Sequence, residues 1–251
     1  MKKQFQILAA TFISVAIVSC NKQGVENPEA TQKISEEIST SSSSSATRTV
    51  VDPLTVNLEG WFPFNKNLKE ATGKLPDAKQ WPVMRGGVSY TADRHGISNA
   101  ALKLDGNYYV YMANGPVQTH MSLSVWVKRS AQYADALFLH PNGKGLFLSQ
   151  ANYAFKGTVL TSLYSPYANS GAFIDQGWHH LVLTYDGNNL QLYADNVLQS
   201  SVNFSSALSY DLFYYLVGDI GDGTYWKGAI DDLRFYTRTL SASDVQKLYN
   251  L

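Results

Sequence analysis

Two adjacent aspartates near the C-terminus, Asp231 and Asp232, carry carboxyl groups that could act as acid and base in catalysis. Two carboxyl groups on either side of a glycosidic bond can act as acid and base in its hydrolysis. Both residues fall in a run that predicts a β-strand, where neighbouring side chains point to opposite faces. We therefore expect that these two carboxyl groups do not form a catalytic pair.

A second adjacent pair, His179 and His180, could bind a metal ion or transfer protons. This pair also lies in a predicted strand, so its rings are expected on opposite faces of a sheet. Ser, His and Asp residues elsewhere show no spacing that singles out a nucleophile with its base. The sequence therefore predicts neither a shared histidine metal site nor nucleophilic catalysis.

Aromatic residues in polar stretches are the third kind of candidate, because such rings can stack on the apolar faces of sugars. The alternative is that most of these rings fill a hydrophobic core or cover its ends. Sugar binding is predicted for the aromatic residues Trp81, Tyr153, Tyr164, Tyr167, Tyr225 and Trp226.

The chain between these candidates is rich in predicted strands. Residues 178–185 are largely apolar or aromatic on both faces, which predicts a central strand covered on both sides. Turn residues at 186–189 and 195–196 then predict a three-stranded antiparallel meander. A further strand is predicted in the aromatic-Pro-Phe part of residues 58–73. Others lie at about residues 102–104, 108–111, 121–128, 136–139, 145–148, 158–164, 210–218 and 228–236.

The C-terminus predicts a short helix. Ser241 is a suitable N-cap, and Asp244 lies at the capping-box position three residues later. Val245, Leu248 and Tyr249 then share one apolar side, which indicates that the helix packs on the sheets.

Composition narrows the classes of partner. The formal net charge is zero and the charged fraction is 16%, so the electrostatic signature of a nucleic-acid or anionic-membrane partner is missing. Any contact with a membrane is expected only through a lipid anchor. Aromatic residues make up 13% of the chain, which suits a β-sandwich. With one cysteine, Cys20, no intrachain disulfide can form.

The N-terminus predicts an export signal. Two lysines precede an apolar run that is too short to span a bilayer, and Cys20 follows in a context that resembles a bacterial lipobox. We expect a lipoprotein signal peptide at 1–20 with lipidated Cys20, and a disordered Ser-rich tether at 21–49. The alternative is an ordinary signal peptide with an incidental cysteine. The expected location is the bacterial cell envelope, as an outer-membrane lipoprotein.

Several strands carry motifs of one family. Residues 228–236 read Gly-Ala-Ile-Asp-Asp-Leu-Arg-Phe-Tyr, and residues 177–187 read Gly-Trp-His-His-Leu-Val-Leu-Thr-Tyr-Asp-Gly. Shorter matches occur at 58–73, 101–111 and 121–128, with Leu104 in place of a usual Phe. Over residues 50–251 the chain resembles laminin G-like domains of the concanavalin A-like lectin/glucanase superfamily.

The resemblance implies an all-β fold, a two-sheet antiparallel jelly-roll sandwich with a short C-terminal helix. Glucanases of this superfamily carry paired glutamates on one strand, whereas this chain has no Glu after Glu70. The resemblance therefore implies a domain that is not an enzyme.

Relatives often bind structural calcium, which implies a possible Ca²⁺ site at Asp105 with Asp231 or Asp232, near Asn67 or Glu70. The alternative is that these residues cap turns and pair with Arg234.

Three functions follow in order of preference. The first is non-catalytic binding of a polysaccharide or glycan by a membrane-anchored, lectin-like domain. The second is a protein-interaction or adhesion module that uses the same loops. A divergent glycoside hydrolase or lyase comes third.

Overall fold

The computed structural model describes residues 52–81, 87–113, 119–130, 136–141, 145–151, 154–160, 167–172, 175–205, 214–218 and 226–251. These residues belong to one compact unit, Thr49–Leu251. The predicted signal peptide, Cys20 and the predicted tether lie outside the described residues.

Strands dominate the described part of the chain, with a 3₁₀ helix (Pro53–Thr55) before them and helix α1 (Ala242–Tyr249) after them. The strands are β1 (Leu58–Phe62), β2 (Lys79–Trp81), β3 (Ser89–Thr91), β4 (Ala101–Asp105), β5 (Tyr109–Ala113), β6 (Met121–Arg129), β7 (Ala136–Pro141), β8 (Gly145–Ala151), β9 (Ala154–Leu160), β10 (Tyr167–Ala172), β11 (His179–Tyr185), β12 (Asn189–Ala194), β13 (Val197–Asn203), β14 (Tyr214–Val217) and β15 (Lys227–Tyr236).

The strands form two antiparallel sheets. The first sheet has the order β13-β12-β11-β6-β15-β4-β3, with β1 also paired to β15. The second sheet has the order β10-β9-β8-β7-β14-β5-β2. The predicted all-β, jelly-roll-like sandwich with a short C-terminal helix is therefore confirmed, and β11, β12 and β13 form the predicted meander.

The core lies between the two sheets. Leu123 and Leu183 of the first sheet, and Val110 and Phe155 of the second, are among its buried side chains. Every residue of β11 is buried, because β6 and β12 pair with its edges while its two faces are both covered. The prediction of a central strand covered on both sides is confirmed.

The face of the first sheet that points away from the core is also covered. We call the faces turned away from the core the outer faces. Val182 and Tyr236 on this outer face pack against Leu240, Val245 and Leu248. The predicted capping box is present, since Ser241 Oγ accepts from the Asp244 N–H and the Asp244 carboxylate accepts from the Ser241 N–H. No helix among the described residues is long and apolar enough to cross a membrane.

Three strands were not predicted. β2 and β3 are three residues long, and β10 contains small and polar residues without clear alternation. Both β2 and β10 are edge strands of the second sheet, so each needs pairing on one side only.

Candidate ligand-binding site

A strip of aromatic side chains lies on the outer face of the second sheet. In β5, Val110 and Met112 point into the core, so the alternation of a strand turns Tyr109 and Tyr111 outward. The neighbouring edge strand β2 pairs Trp81 with Tyr109 and Lys79 with Tyr111. We call Trp81, Tyr109 and Tyr111 the aromatic strip.

Trp81 is the most accessible ring of this strip. Its exposed fraction is 51%, whereas Tyr109 and Tyr111 are half-buried. Side chains directly opposite in an antiparallel pair have Cβ atoms about 5 Å apart, so Trp81 and Tyr109 are neighbours on this face. Lys79 is exposed next to Tyr111. The strip offers apolar ring faces with polar atoms at their edges, the combination that a sugar ring requires.

The predicted ligand residues are not brought together into one site. Tyr167 is 55% exposed, but it lies on β10, the edge strand opposite β2 in the same sheet. With neighbouring strands about 4.8 Å apart, the six steps between these edges correspond to roughly 29 Å. Trp81 and Tyr167 therefore cannot contact the same small ligand.

The prediction that Trp226 binds a sugar is wrong. Its side chain is fully buried and belongs to the main core, so its ring is not available to a ligand. The residue lies in a polar stretch of sequence, but it immediately precedes the buried strand β15. Tyr153, Tyr164 and Tyr225 lie outside the described residues, and their role stays a prediction.

Tyr109 and Tyr111 were missed as binding candidates. They lie in a predicted strand, whereas the binding candidates were sought among aromatic residues in polar stretches. The signal that could have found them is their spacing of two residues around Val110, which places both rings on one face of the strand.

The two adjacent aspartates correct a second expectation. Asp232 has a φ of 51°, and the pairing of β15 with β6 shifts register between Asp231 and Arg234. This β-bulge places both carboxylates on the same face. Arg94 contacts both of them, with its Nη1 2.6 Å from Asp231 Oδ2 and its Nη2 3.5 Å from Asp232 Oδ2. The expectation of opposite faces is therefore wrong.

The same aspartates are nevertheless buried inside an ion-pair cluster. Their exposed fractions are 4% and 7%, and Arg234 Nε lies 3.1 Å from Asp232 Oδ1. The Trp61 indole N–H donates to that same oxygen. Burial raises the pKa of Asp231 to about 7, with Arg94 opposing the rise and the Asp232 charge adding to it. Both carboxylates are thus held by arginines and turned away from solvent.

The residues predicted to bind calcium, Asp105 with Asp231 or Asp232, do not come together at one site. Asp105 is exposed, and its Oδ1 accepts from the Asn107 N–H in a turn. Its cross-strand partner is Lys227, four residues before Asp231 on the same strand. Among the described residues no group of three His, Cys, Asp or Glu side chains is placed to hold a metal ion. Calcium binding stays a prediction, which calcium titration of EDTA-treated protein can check.

The expected separation of His179 and His180 is confirmed. His179 packs near Phe155 of the second sheet, with ring centroids 5.9 Å apart. The His180 ring stacks on Trp126 at 5.0 Å on the outer face. Burial lowers the pKa of His180 to about 3. Burial also opposes protonation of His179, but hydrogen bonds to Asp195 and Asp175 outweigh it and raise that pKa.

Solved structures share this architecture at low sequence identity. Domain 4 of AbnA, an extracellular GH43 arabinanase from Geobacillus stearothermophilus solved with arabinotriose, is 20% identical with a TM-score of 0.64, and the match covers 77% of this chain and 98% of that one. The binding domain of botulinum neurotoxin serotype C1 is 14% identical with a TM-score of 0.61, over 77% of this chain and 51% of that one.

A further similar structure is the binding domain of botulinum neurotoxin DC in complex with rat synaptotagmin II. It is 14% identical with a TM-score of 0.58, over 76% of this chain and 50% of that one. The chain thus spans about half the length of these toxin domains. A comparison with curated proteins found no match.

Membership of a family rests on the sequence itself. Residues 104–246 match the laminin G family model (Laminin_G_3) described as concanavalin A-like lectin/glucanases superfamily. Tyr109 and Tyr111 fall inside the matched range, whereas Trp81 precedes it. Because the match spans more than half of the chain, this protein belongs to the laminin G-like family of the concanavalin A-like lectin/glucanases superfamily.

Proposed function

We propose that the domain binds a polysaccharide or glycan through the aromatic strip and does not cleave it. The observation that carries this proposal is the half-exposed Trp81 ring beside Tyr109 and Tyr111 on one sheet face. A large aromatic ring left in solvent loses the favourable free energy of burial unless a ligand covers it. The strip runs along two neighbouring strands of one sheet face, which suits an extended chain of sugars.

The similar structures support a sugar ligand. Domain 4 of AbnA shares the fold and was solved with arabinotriose. Arabino-oligosaccharides therefore belong in the panel of test ligands, together with other plant and host glycans.

The state of the carboxylates supports binding without cleavage. Asp231 and Asp232 share a face, but two arginines hold them and neither is exposed. A general acid or base must reach the substrate within hydrogen-bonding distance. In this arrangement the pair serves the fold, and no glutamate follows Glu70 to replace it.

The test is glycan binding by residues 49–251, a compact unit with its own core. We expect Trp81→Ala to weaken binding by about fivefold or more. Stacking of a flat base on an aromatic side chain contributes about 1–3 kcal/mol, and we expect a similar contribution from a sugar face. Tyr167→Ala is the matched control, since this exposed ring lies on the same sheet at the opposite edge.

Two results would contradict the proposal. Glycan binding that survives Trp81→Ala, Tyr109→Ala and Tyr111→Ala would remove the strip as the site. Release of reducing sugar from any bound polysaccharide would show a hydrolase or lyase instead.

A protein-interaction module is the second candidate. Val197 and Leu198 open the edge strand β13 and are 58% and 45% exposed. An exposed edge strand with apolar side chains can pair with a strand of another protein. Capture of a protein partner that free sugars do not displace, and that Val197→Lys abolishes, would favour this function.

The proposed location is the bacterial cell envelope, with the lipid on Cys20 as anchor and residues 21–49 as tether. The support comes from the sequence, because these residues lie outside the described part. Metabolic labelling with a fatty acid tests the anchor: label is expected on the wild-type chain and not on Cys20→Ala.

A further inference from the structure

A groove crosses the outer face of the first sheet, on the opposite side of the sandwich from the aromatic strip. Its floor is Ala229 of β15, which pairs with Lys103 of β4 on one side and with Lys128 of β6 on the other. The groove has a volume of about 190 Å³. We call it the lysine groove.

The groove exists because β15 carries small residues, while the strands on either side of it carry the long side chains of Lys103 and Lys128. Ala229 is almost fully buried, whereas Lys103 and Lys128 are exposed. Gly228 cannot be larger, since an added Cβ would lie 2.3 Å from the Trp226 ring and 2.4 Å from the Lys128 carbonyl oxygen. With strands about 4.8 Å apart, the two lysine Cα atoms are separated by roughly 10 Å.

The charge in the groove is positive. Within the described residues neither Lys103 nor Lys128 lies within 4 Å of a carboxylate oxygen, as a salt bridge would require. Arg129 also lines the groove, and its Nε donates to the Asp175 carbonyl oxygen.

Nearby acids are engaged elsewhere. The Asp175 carboxylate accepts from the Gly177 N–H and lies 3.0 Å from His179 Nε2. Asp105 accepts from the Asn107 N–H and lies opposite Lys227. The two groove lysines therefore have no competing negative partner in the described part of the chain.

The remaining lining is polar. Thr91, Ser130 and Gln176 offer hydroxyl and amide groups that can exchange hydrogen bonds with a polyhydroxylated ligand. Among the described residues that line the groove there is no aromatic ring or large aliphatic side chain, so this lining is unsuited to an acyl chain. Anionic membranes are recognised by clusters of about four to eight Lys or Arg, more than this groove presents.

We propose that the lysine groove binds an acidic sugar unit, with a carboxylate or sulfate group between Lys103 and Lys128. The hydroxyl and amide groups of the lining hold the neutral part of the same unit. This site does not rest on the aromatic strip, and it would let the domain select charged polysaccharides.

The experiment measures binding of oligogalacturonate and of a sulfated chondroitin oligosaccharide by calorimetry at low and physiological salt. Neutral arabino-oligosaccharide is the ligand control. Lys103→Gln and Lys128→Gln remove one charge each from exposed positions that leave the core untouched. Lys79→Gln, on the opposite face of the sandwich, is the matched control variant.

We expect one acidic probe to bind, each groove substitution to weaken it about tenfold, and added salt to weaken it further. Lys79→Gln leaves this binding unchanged, whereas Trp81→Ala weakens neutral-glycan binding. The two proposals can therefore fail separately.

The proposal is overturned if neither acidic probe binds, or if Lys103→Gln and Lys128→Gln bind as the wild-type chain does. It is also overturned if phosphatidylglycerol vesicles bind and the acidic sugars do not, because the groove would then recognise lipid headgroups. Equal melting temperatures of the variants establish that any loss is not a loss of folding.

Discussion

At the scale of single residues, the neighbouring histidines show how strand alternation separates two chemistries. His179 is held between two aspartates, whereas the ring of His180 stacks on Trp126, lies near Tyr249 and has Ser124 as hydrogen-bond partner. The environment of His179 favours the charged imidazole, and the environment of His180 favours the neutral one. The two rings therefore give stability opposite dependences on pH.

The pH dependence of His180 has a definite sign. Its folded pKa of about 3 lies below its ordinary value of 6.5, so the unfolded chain binds the proton more readily. Its contribution to the free energy of unfolding falls as pH drops below 6.5, by about 1.4 kcal/mol per pH unit, until about pH 3. The contribution of protonated His179 is present below pH 6.5 and is lost as pH rises through its raised pKa.

NMR titration of the imidazole protons checks this prediction. We expect the His179 signals to titrate above pH 6.5 and the His180 signals to stay unchanged down to about pH 4. A His180 signal that titrates near pH 6.5 would contradict the buried, neutral ring.

The candidate site was predictable at this scale only in part. Trp81 and Tyr167 were predicted as accessible rings, and both are exposed. Tyr109 and Tyr111 were not predicted, because the face on which a strand residue lies depends on the register of the sheet around it. Trp226 was misassigned because its polar neighbours in sequence are not its neighbours in the core.

At the scale of elements, the bulge in β15 coincides with a change of partner strand. Residues 227–230 pair with β4, whereas residues 233–236 pair with β1 on the same edge. Asp231 and Asp232 lie between these two pairings and bring both carboxylates to Arg94. A one-residue bulge cannot be predicted from alternation alone, which explains the wrong expectation for this pair.

Arg94→Ala tests this cluster. We expect it to lower the free energy of unfolding by about 3 kcal/mol at pH 8, because two adjacent buried carboxylates then share Arg234 alone. The loss is expected to be smaller at pH 5, where Asp231, with its pKa near 7, is already neutral. Urea unfolding at both pH values measures the difference.

Arg94→Lys is the matched variant, since it keeps the charge but not the fork that contacts two carboxylates. The free energy of unfolding of Arg94→Lys should fall between those of the wild-type chain and Arg94→Ala. If Arg94→Ala lowers the free energy of unfolding equally at pH 5 and pH 8, Arg94 stabilises the fold by packing on Trp126 and not by its charge.

At the scale of the whole molecule, the two sheets approach closely where a glycine faces a leucine. A Cβ added to Gly157 of β9 would lie 2.3 Å from Leu183 Cδ1 and 3.1 Å from its Cγ. Leu183 is fully buried, so it cannot move into solvent. Gly157 therefore sets how closely the second sheet can approach the first at this point.

Gly157→Ala is expected to lower the free energy of unfolding by about 1–3 kcal/mol through overpacking. Gly171→Ala on the adjacent strand β10 is the control, because the nearest atom to its Cβ would be Gln199 Oε1 at 3.7 Å. Thermal or urea unfolding measures both. A similar loss in a Leu183→Ala background would contradict the proposed clash, since the obstructing side chain is then absent.

The overall fold could be predicted further than the site. Alternation and turn residues predicted the meander of β11, β12 and β13, and the capping box predicted α1. The division of strands between sheets could not be predicted from pattern alone. β4 and β5 are separated by a short turn but belong to different sheets, and what places them is packing against strands distant in sequence.

The 3₁₀ helix at Pro53–Thr55 and helix α1 contact each other on the outer face of the first sheet. Both ends of the folded unit thus leave from one side, and Trp81 lies on the other. A resin or sensor chip coupled at Leu251 would consequently hold every molecule in the same pose, with the aromatic strip directed at the flowing sample.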